Sequence, residues 1–468
     1  MGILFHSMQI QKGEISEILG KGKLKNLFAP IDNASIVLFR IMFGVIMFWE
    51  VTRYFKYHWI ERYWVTPYFN FAYTPFNLSP LSENGMYILW YVLGALAIFI
   101  TIGFLYRIST VLFFLLFTYT FLLEQARYLN HFYLVIIVSF ILIFIPAHRS
   151  FSIDSKIFKG IKSLYNVSWN LWLIRFTVGI PYFFGGIAKI NPDWLRGYPL
   201  KDWLLGDQNF PVIGQYFTEH WMVMIMSYSG LLLDLAVVPV LLFKRTRLIG
   251  FIAICLFHLM NVELFEIGIF PWFMIAATSL YFSPNWPRKL IQKIVFKGDK
   301  TQETNNFNPN PKYQKAVLYG LGIFFAIQVF LPMRHLLIKG NVHWTEEGHK
   351  YAWHMKLRSK DGRTEFMVKN KATDELIEVN IEGYLQDWQE RKMDGNPQMI
   401  WKFAKFLKEE YGRMGVDVEV YAQALASLNG RAYQYIIDPN VDLAVQKKPF
   451  FGNAKWILPL EVPLENQR

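Results

Sequence analysis

Cysteine is nearly absent from this 468-residue chain: Cys255, inside the apolar run FIAICLFHLM, stands alone. A single thiol excludes an intrachain disulfide, a cysteine-rich metal site and a paired redox motif. The sequence also lacks GxGxxG, a P-loop and GxSxG, so nucleotide binding and acyl-serine chemistry have no support. Charge is scarce, with Asp, Glu, Lys and Arg at 18% of residues against about 25% in soluble domains. The segment before residue 34 is mixed and basic (QKGEISEILGKGKLKN) and has no apolar core. No cleavable signal is therefore expected, and the first apolar run would itself direct insertion. No internal repeat is visible, so the paired broken-helix halves of many transporters have no counterpart.

What is present is apolar. Hydrophobic residues make up 53% of the chain and aromatics 18%, with a mean hydropathy of +0.21, the balance of a membrane protein. Runs long enough, or nearly so, to cross about 30 Å of hydrocarbon lie near 34–53, 86–106, 108–123, 131–147, 169–190, 221–243, 248–265, 267–282 and 315–335. They predict about nine spans. A net charge of +12 would point to nucleic acid in a soluble chain, but here Lys and Arg crowd particular loops. With the N-terminus inside, the inner segments include Arg149 to Lys162, Lys244 to Arg247 and Arg288 to Lys300. The excess follows the positive-inside rule, and no nucleic-acid partner is implied.

That orientation places the chain after about residue 338 outside, where the composition turns soluble. YAWHMKLRSKDGRTEFMVKN reads as two strands joined by an Asp361-Gly362 turn. PQMIWKFAKFLKEEYGRMG reads as an amphipathic helix ending at glycine, and VDVEVYAQALASL and RAYQYIID read as further strands. The expected fold is a polytopic α-helical membrane bundle with a C-terminal extracytoplasmic α+β domain. Its divisions would be a cytoplasmic tail at 1–33, a transmembrane domain at 34–338 and the outer domain at 339–468. KGDKTQETNNFNPNPK is a polar inner linker before the last span.

Ionisable groups in or beside spans are costly to insert, by about 2.5–3.5 kcal/mol at a helix centre, and so mark candidate sites. Lys189 closes the fifth run after about 30 Å of helix, His131 and Asn130 open the fourth, and His258 and Asn261 lie in the outer half of the seventh. All would share one depth beneath the outer domain. Lys189 is either a snorkelling anchor or a base. Gly185, Gly186 and Tyr182 precede it on its own helix face, which is bare enough for a packed helix or a flat ligand. Burial there would favour a neutral amine able to take a proton. His131 is either an interface histidine or a ligand-holding one, Asn130 is a good N-cap, and His258 fits a core histidine bonded across helices. Two histidines without a carboxylate at ligand spacing give no metal site. Arg40, Glu50 and Arg175 are assigned to helix packing or interfaces, and YHWIERYWVTPYFNFAY to an interfacial aromatic belt.

LNHFYL, IAKINPDWLRGYPL, GLLLDLAVVPVLLF, FHLMNVELFEIGIF, FSPNWPRKL, HKYAWHMKLRSKDGRTEFMV and IDPNVDL occur in this order, within a likeness that runs from about residue 34 to 460. Together they resemble the vitamin K-dependent gamma-glutamyl carboxylase family. The resemblance implies an enzyme that couples oxygenation of a reduced naphthoquinone, of the vitamin K or menaquinol type, to carboxylation of glutamate in a peptide. Reduced vitamin K, O2 and CO2 would be its cofactors, with no metal, and a glutamate-containing peptide or protein its substrate amid membrane lipids. By the same resemblance Lys189 is the base toward the hydroquinone, and Asn130 and His131 hold or polarise the quinone oxygens. His258, Asn261, Trp353 and Met355 would surround the pocket, the last two closing over it from the outer domain.

The chain departs from the animal enzymes in three respects. Ala188 precedes Lys189 where they carry a lysine doublet, so Lys189 alone would serve. Their disulfide cannot form with Cys255, so packing must hold the outer domain. No long extension follows Trp456, which argues against propeptide-guided processive carboxylation and for a short, bacterial-type relative. The expected location is a bacterial inner membrane, or the endoplasmic reticulum if the source is eukaryotic, where Asn77-Leu78-Ser79 would be a glycosylation sequon. The alternatives are a hydroquinone oxygenase without carboxylation, and a non-catalytic quinone-binding, lipid-binding or transport protein.

Overall fold

The computed structural model describes residues 26–265, 267–295, 311–449 and 452–464. The tail before residue 26 and most of the polar linker lie outside the described residues.

A backbone in hydrocarbon must satisfy its own hydrogen bonds, which a helix does within one segment. The apolar runs accordingly fold as α1 (Ala34–Lys56), α2 (Glu83–Ile102), α3 (Tyr106–Leu122), α4 (Asn130–Phe144), α5 (Ser168–Ala188), α6 (His220–Leu242), α7 (Arg247–Phe265), α8 (Phe270–Thr278), the amphipathic α9 (Trp286–Val295) and α10 (Pro311–Met333). Among the described residues, six helices are long and apolar enough to cross a membrane: α1, α2, α5, α6, α7 and the segment containing α10. α3 and α4 are shorter, with 17 and 15 residues. The run expected at 267–282 has only nine α-helical residues, followed by a 3-10 turn at Ser279–Tyr281.

One end of the bundle is tied by backbone and arginine. Strands β1 (Pro30–Asp32) and β2 (Tyr165–Val167) pair antiparallel, and Arg288 donates to both Asp32 oxygens at 2.9 and 3.1 Å. Buried Arg40 donates to the carbonyls of Ala147, Phe151 and Thr101 at 2.9, 2.7 and 3.2 Å, and Arg175 to those of Leu280 and Phe282 at 2.8 and 2.9 Å. Both arginines brace helix ends that lack intrahelical partners.

The C-terminal part builds its own apolar core on the opposite end. Its sheet has the order β4-β3-β5-β6, all antiparallel, from β3 (Lys360–Asn370), β4 (Leu376–Glu378), β5 (Val418–Leu428) and β6 (Gln434–Tyr435). Period-two alternation buries Val418, Val420, Ala422, Ala424, Ala426 and Leu428. The alanine stripe lets α12 (Pro397–Arg413) approach through Met399, Ile400, Phe403 and Leu407, while the short α11 (Asp387–Met393) precedes it. Asn396 caps α12 by accepting from Gln398 and Met399 N at 3.1 and 3.3 Å, as an N-cap asparagine should.

Two expectations here are corrected. Asp361-Gly362 is not a turn but lies within β3, opposite Ser427 and Ala426. Gly362 is needed for close approach, because a Cβ there would sit 2.6 Å from the Asp394 carbonyl oxygen. YAWHM is not a strand either: Glu346, Tyr351, Trp353 and Lys356 all have positive φ, and the backbone forms a strained strap against the bundle. Non-glycine residues hold such angles only where their surroundings impose them.

Buried polar contacts join the two parts. Glu124 accepts from Asn70, Phe71 N, Ala126 N and Gln389 at 2.8–3.2 Å. In the turn after α5, Asp193 receives Arg431 on both oxygens at 2.7 and 2.8 Å and Asn429 at 2.7 Å. Burial alone would push the Asp193 carboxyl up, but the hydrogen bonds from Arg431 and Asn429 and the Arg431 charge hold it below its ordinary 3.8. A carboxyl shifted down on folding contributes stability that is present above the unfolded value and lost as pH falls through the folded one. The junction should therefore hold from neutral pH down to 3.8 and loosen below it, seen as faster proteolysis between the two parts. Arg431→Met should cost about 3–5 kcal/mol by leaving a buried carboxylate unpaired, read as a lower melting temperature.

Candidate functional site

Lys189 stands at the C-terminal end of α5, and its backbone N–H donates to the Gly185 and Gly186 carbonyls at 3.2 and 3.1 Å. The bare face ahead of it admits a helix. A Cβ on Gly186 would lie 2.7 Å from Leu235 Cδ2 and 3.1 Å from the Leu235 backbone nitrogen, so α6 is in direct contact with α5 here. Gly185 faces Asp234 Oδ2 and Met355 Cε, each 3.4 Å from a Cβ built on it.

That approach delivers a partner the sequence reading did not assign. Lys189 Nζ lies 2.5 Å from Asp234 Oδ2, with both side chains buried. The amine also reaches the Gly185 carbonyl at 3.5 Å and stands 5.3 Å from the centroid of the Trp194 ring. Trp194 is locked to α6 by its indole N–H on the Ser227 carbonyl at 3.0 Å and by Ser227 Oγ on its own carbonyl at 2.8 Å. The NPDW turn sets this tryptophan, because Asn191 Oδ1 accepts from Asp193 N and Trp194 N at 3.1 and 3.0 Å. Lys189 is thus neither a snorkelling anchor nor the lone amine expected, but half of a buried ion pair.

The pair opens onto a cavity of about 940 Å3. Asn130, His131, His258, Asn261 and Met355 line the same cavity, so the structure brings six of the seven expected site residues together. His258 Nε2 is 2.7 Å from the Tyr182 hydroxyl, and its Nδ1 is buried with no protein partner. His131 packs against Phe132 and Phe270, with centroids 4.6 and 5.9 Å away. Asn130 is the first residue of α4 and does not cap it. Its Oδ1 accepts from the Tyr128 hydroxyl at 2.9 Å and its Nδ2 donates to the His354 carbonyl at 3.4 Å. The asparagine therefore ties the cavity wall to the strap.

Trp353 is the exception. Its buried ring packs on Tyr133, with centroids 5.1 Å apart, in the core of the bundle and does not line the cavity. It anchors the strap that carries Met355, whose N–H donates to the Trp353 carbonyl at 2.9 Å. Glu50, assigned above to packing, lines the cavity and pairs with Arg53 at 2.6 Å. Arg127, 3.8 Å from the Tyr63 centroid, and Lys356 add further cations to the lining. The signal for Asp234 was in the sequence: it is the one carboxylate in the apolar 23-residue helix α6, where an unpaired charge would be expensive.

A polytopic helical bundle with a polar cavity under a strained strap and a small α+β domain defines the class structurally. The HTTM domain family matches residues 28–286, and the lumenal domain of the vitamin K-dependent gamma-carboxylase matches residues 313–462. The chain belongs to the vitamin K-dependent gamma-glutamyl carboxylase family. It is an integral membrane protein whose C-terminal domain lies on the extracytoplasmic side. No solved structure matches it.

Gly186→Ala tests whether helix approach builds the pair. The added methyl must push Leu235 and α6 away, costing about 1–3 kcal/mol as overpacking does. Asp234 would move with them, so the melting temperature should fall. Gly185→Ala, with neighbours only at 3.4 Å, should be milder; equal effects would contradict the assignment.

Proposed function

We propose that this protein is a vitamin K-dependent carboxylase-type enzyme, which oxygenates a reduced naphthoquinone to its epoxide and carboxylates glutamate in a peptide with carbon dioxide. The observation carrying this reading is the Lys189–Asp234 pair set in a cavity with Asn130, His131 and His258.

The lining fits a flat ligand with two oxygens. Phe257, Phe270 and Trp203 give aromatic surface, the cavity has the volume of a small-molecule site, and His258 Nδ1 lacks a protein partner. When bound, the reduced quinone with oxygen supplies a base far stronger than an amine, able to take the glutamate γ-proton, after which carbon dioxide adds to that carbon.

Asn130 and His131 would hold the quinone oxygens, and His258, oriented by Tyr182, with Asn261 would fix the opposite edge. The Lys189–Asp234 pair would take the hydroquinone hydroxyl proton as a unit, with Asp234 offering the second site on which it can rest. Arg53, Arg127 and Lys356 suit a glutamate carboxylate, with Glu50 limiting how firmly Arg53 is engaged. Met355, on the strap held by Trp353, would close the cavity and exclude water, which a strong base requires.

We further infer about nine passes with the N-terminus inside, with domains divided at 33 and 338. The eighth pass is supported by its ends: Gly268 lies against the Arg53 guanidinium near the end of α1, and Pro284 O accepts from Ser35 N at 3.0 Å near its start.

Purified protein given reduced vitamin K, oxygen, labelled bicarbonate and a short glutamyl peptide should form epoxide and labelled peptide. Lys189→Ala should lower epoxide formation by at least about 100-fold, the scale of a lost acid-base group. Full epoxidation by that variant would defeat the assignment. Epoxide without label would leave a quinol oxygenase, and quinone binding without any product a non-catalytic binder.

A further inference from the structure

Four histidines gather where the last span meets the outer domain. His335 follows α10, His343 lies on a short helix at Val342–Thr345, His349 in the turn after it and His354 on the strap. Their rings touch: His354 stands 4.7 Å from His335 and 5.1 Å from both His343 and His349, centroid to centroid. His343, His349 and His354 are all buried, and one ring nitrogen from each lies within 4.8 Å of the other two.

Their nitrogens are also unsatisfied. His343 Nδ1, His349 Nε2 and both nitrogens of His354 are buried without a protein hydrogen bond. An imidazole always carries a donor or acceptor on each nitrogen, and a buried polar group left unmade costs about 1–3 kcal/mol. His258 bonds Tyr182 at 2.7 Å and leaves one buried nitrogen without a protein partner, as His343 and His349 do, but it stands apart from them. What sets the cluster apart is that His343, His349 and His354 adjoin, with His354 lacking a partner on both nitrogens. His335 differs, with its Nδ1 on the Pro332 carbonyl at 2.7 Å.

We propose that His343, His349 and His354 bind a divalent transition-metal ion of the zinc type at this junction. Three neutral imidazoles suit such an ion, and a tetrahedral site with bonds near 2.1 Å separates its nitrogens by about 3.4 Å. Closing from the present spacing takes side-chain rotations of about 1 Å. Most neighbouring cations are paired: Arg358 and Lys360 contact Glu346 at 2.7 and 3.3 Å and Arg431 contacts Asp193 at 2.7 Å, while Arg334 donates to the Leu331 and Lys350 carbonyls. Glu346 Oε2 also lies 3.9 Å from His349 Nδ1, placed to orient that ring from the outer shell.

The ion would act as a staple. It would close the loop between His343 and His354 in a chain whose only thiol, Cys255, cannot form an intrachain crosslink. It would also fix the strap at the residue whose carbonyl receives Asn130 Nδ2 at 3.4 Å. His354 itself lines the cavity, so the metal would hold that wall from within it.

The test uses the full-length protein in detergent, stripped with a chelator and then dialysed against Co2+ alone. One Co2+ per chain should bind and give visible absorption of a low-coordinate nitrogen site, and Zn2+ should displace it and raise the melting temperature. His349→Gln and His354→Gln should each weaken uptake by more than the 10–100-fold that an outer-shell loss costs. Exposed His220, outside the cluster, provides the control, and His220→Ala should bind as the parent does. No uptake by the stripped parent protein overturns the proposal whatever the variants do. So does uptake that survives in a His349→Gln, His354→Gln double variant.

Discussion

The organisation of the membrane part turns on one buried contact, the ion pair of Lys189 and Asp234. Two charges in a low-dielectric interior are tolerable only at close range with their remaining polar atoms engaged. The 2.5 Å separation, the Gly185 carbonyl and the Trp194 ring meet that condition. The pair in turn requires α6 to reach α5, which Gly186 permits by offering no side chain to Leu235. Trp194 clamps the same helix from the following turn through Ser227. Glycine doublet, lysine and NPDW turn are thus one device that fixes a carboxylate beside an amine at the edge of an aromatic cavity.

The outer domain completes that cavity. Its sheet and helix have a separate core, but the strap from Glu346 to Lys356 is held in positive-φ conformations by contacts reaching back into the bundle. Trp353 sinks against Tyr133, Tyr351 N donates to the Tyr128 hydroxyl at 2.6 Å, and Asn130 holds the His354 carbonyl. Asp193, in the turn after Lys189, receives Arg431 from the turn that follows β5. Cavity wall and domain docking therefore share one short stretch of chain.

Much of this was legible in the sequence because burial in lipid and in a half-covered sheet each imposes a period. Apolar runs gave helices near the expected positions, and the alternation of VDVEVYAQALASL gave β5. Lys189, Asn130, His131, His258 and Asn261 were brought to one cavity by depth and family pattern together. What was not legible depended on contacts distant in sequence. Asp234 lies 45 residues from Lys189, and no local pattern pairs them. Asp361-Gly362 carries the dipeptide of a tight turn, yet its glycine answers to the Asp394 carbonyl. Asn130 has the residue type of a cap, yet its amide serves the strap. Trp353 and the histidine cluster lie in a segment whose strained backbone has no period to read.

The central claim is that Lys189 and Asp234 handle a proton as a unit, which a double-mutant cycle on epoxide formation measures directly. Lys189→Ala, Asp234→Asn and the double variant would be compared under one set of conditions, after each is shown to remain folded. Groups acting as one unit lose most of their effect with the first substitution, so the double variant should be no slower than Lys189→Ala alone. Losses that multiply as independent factors would contradict a shared role.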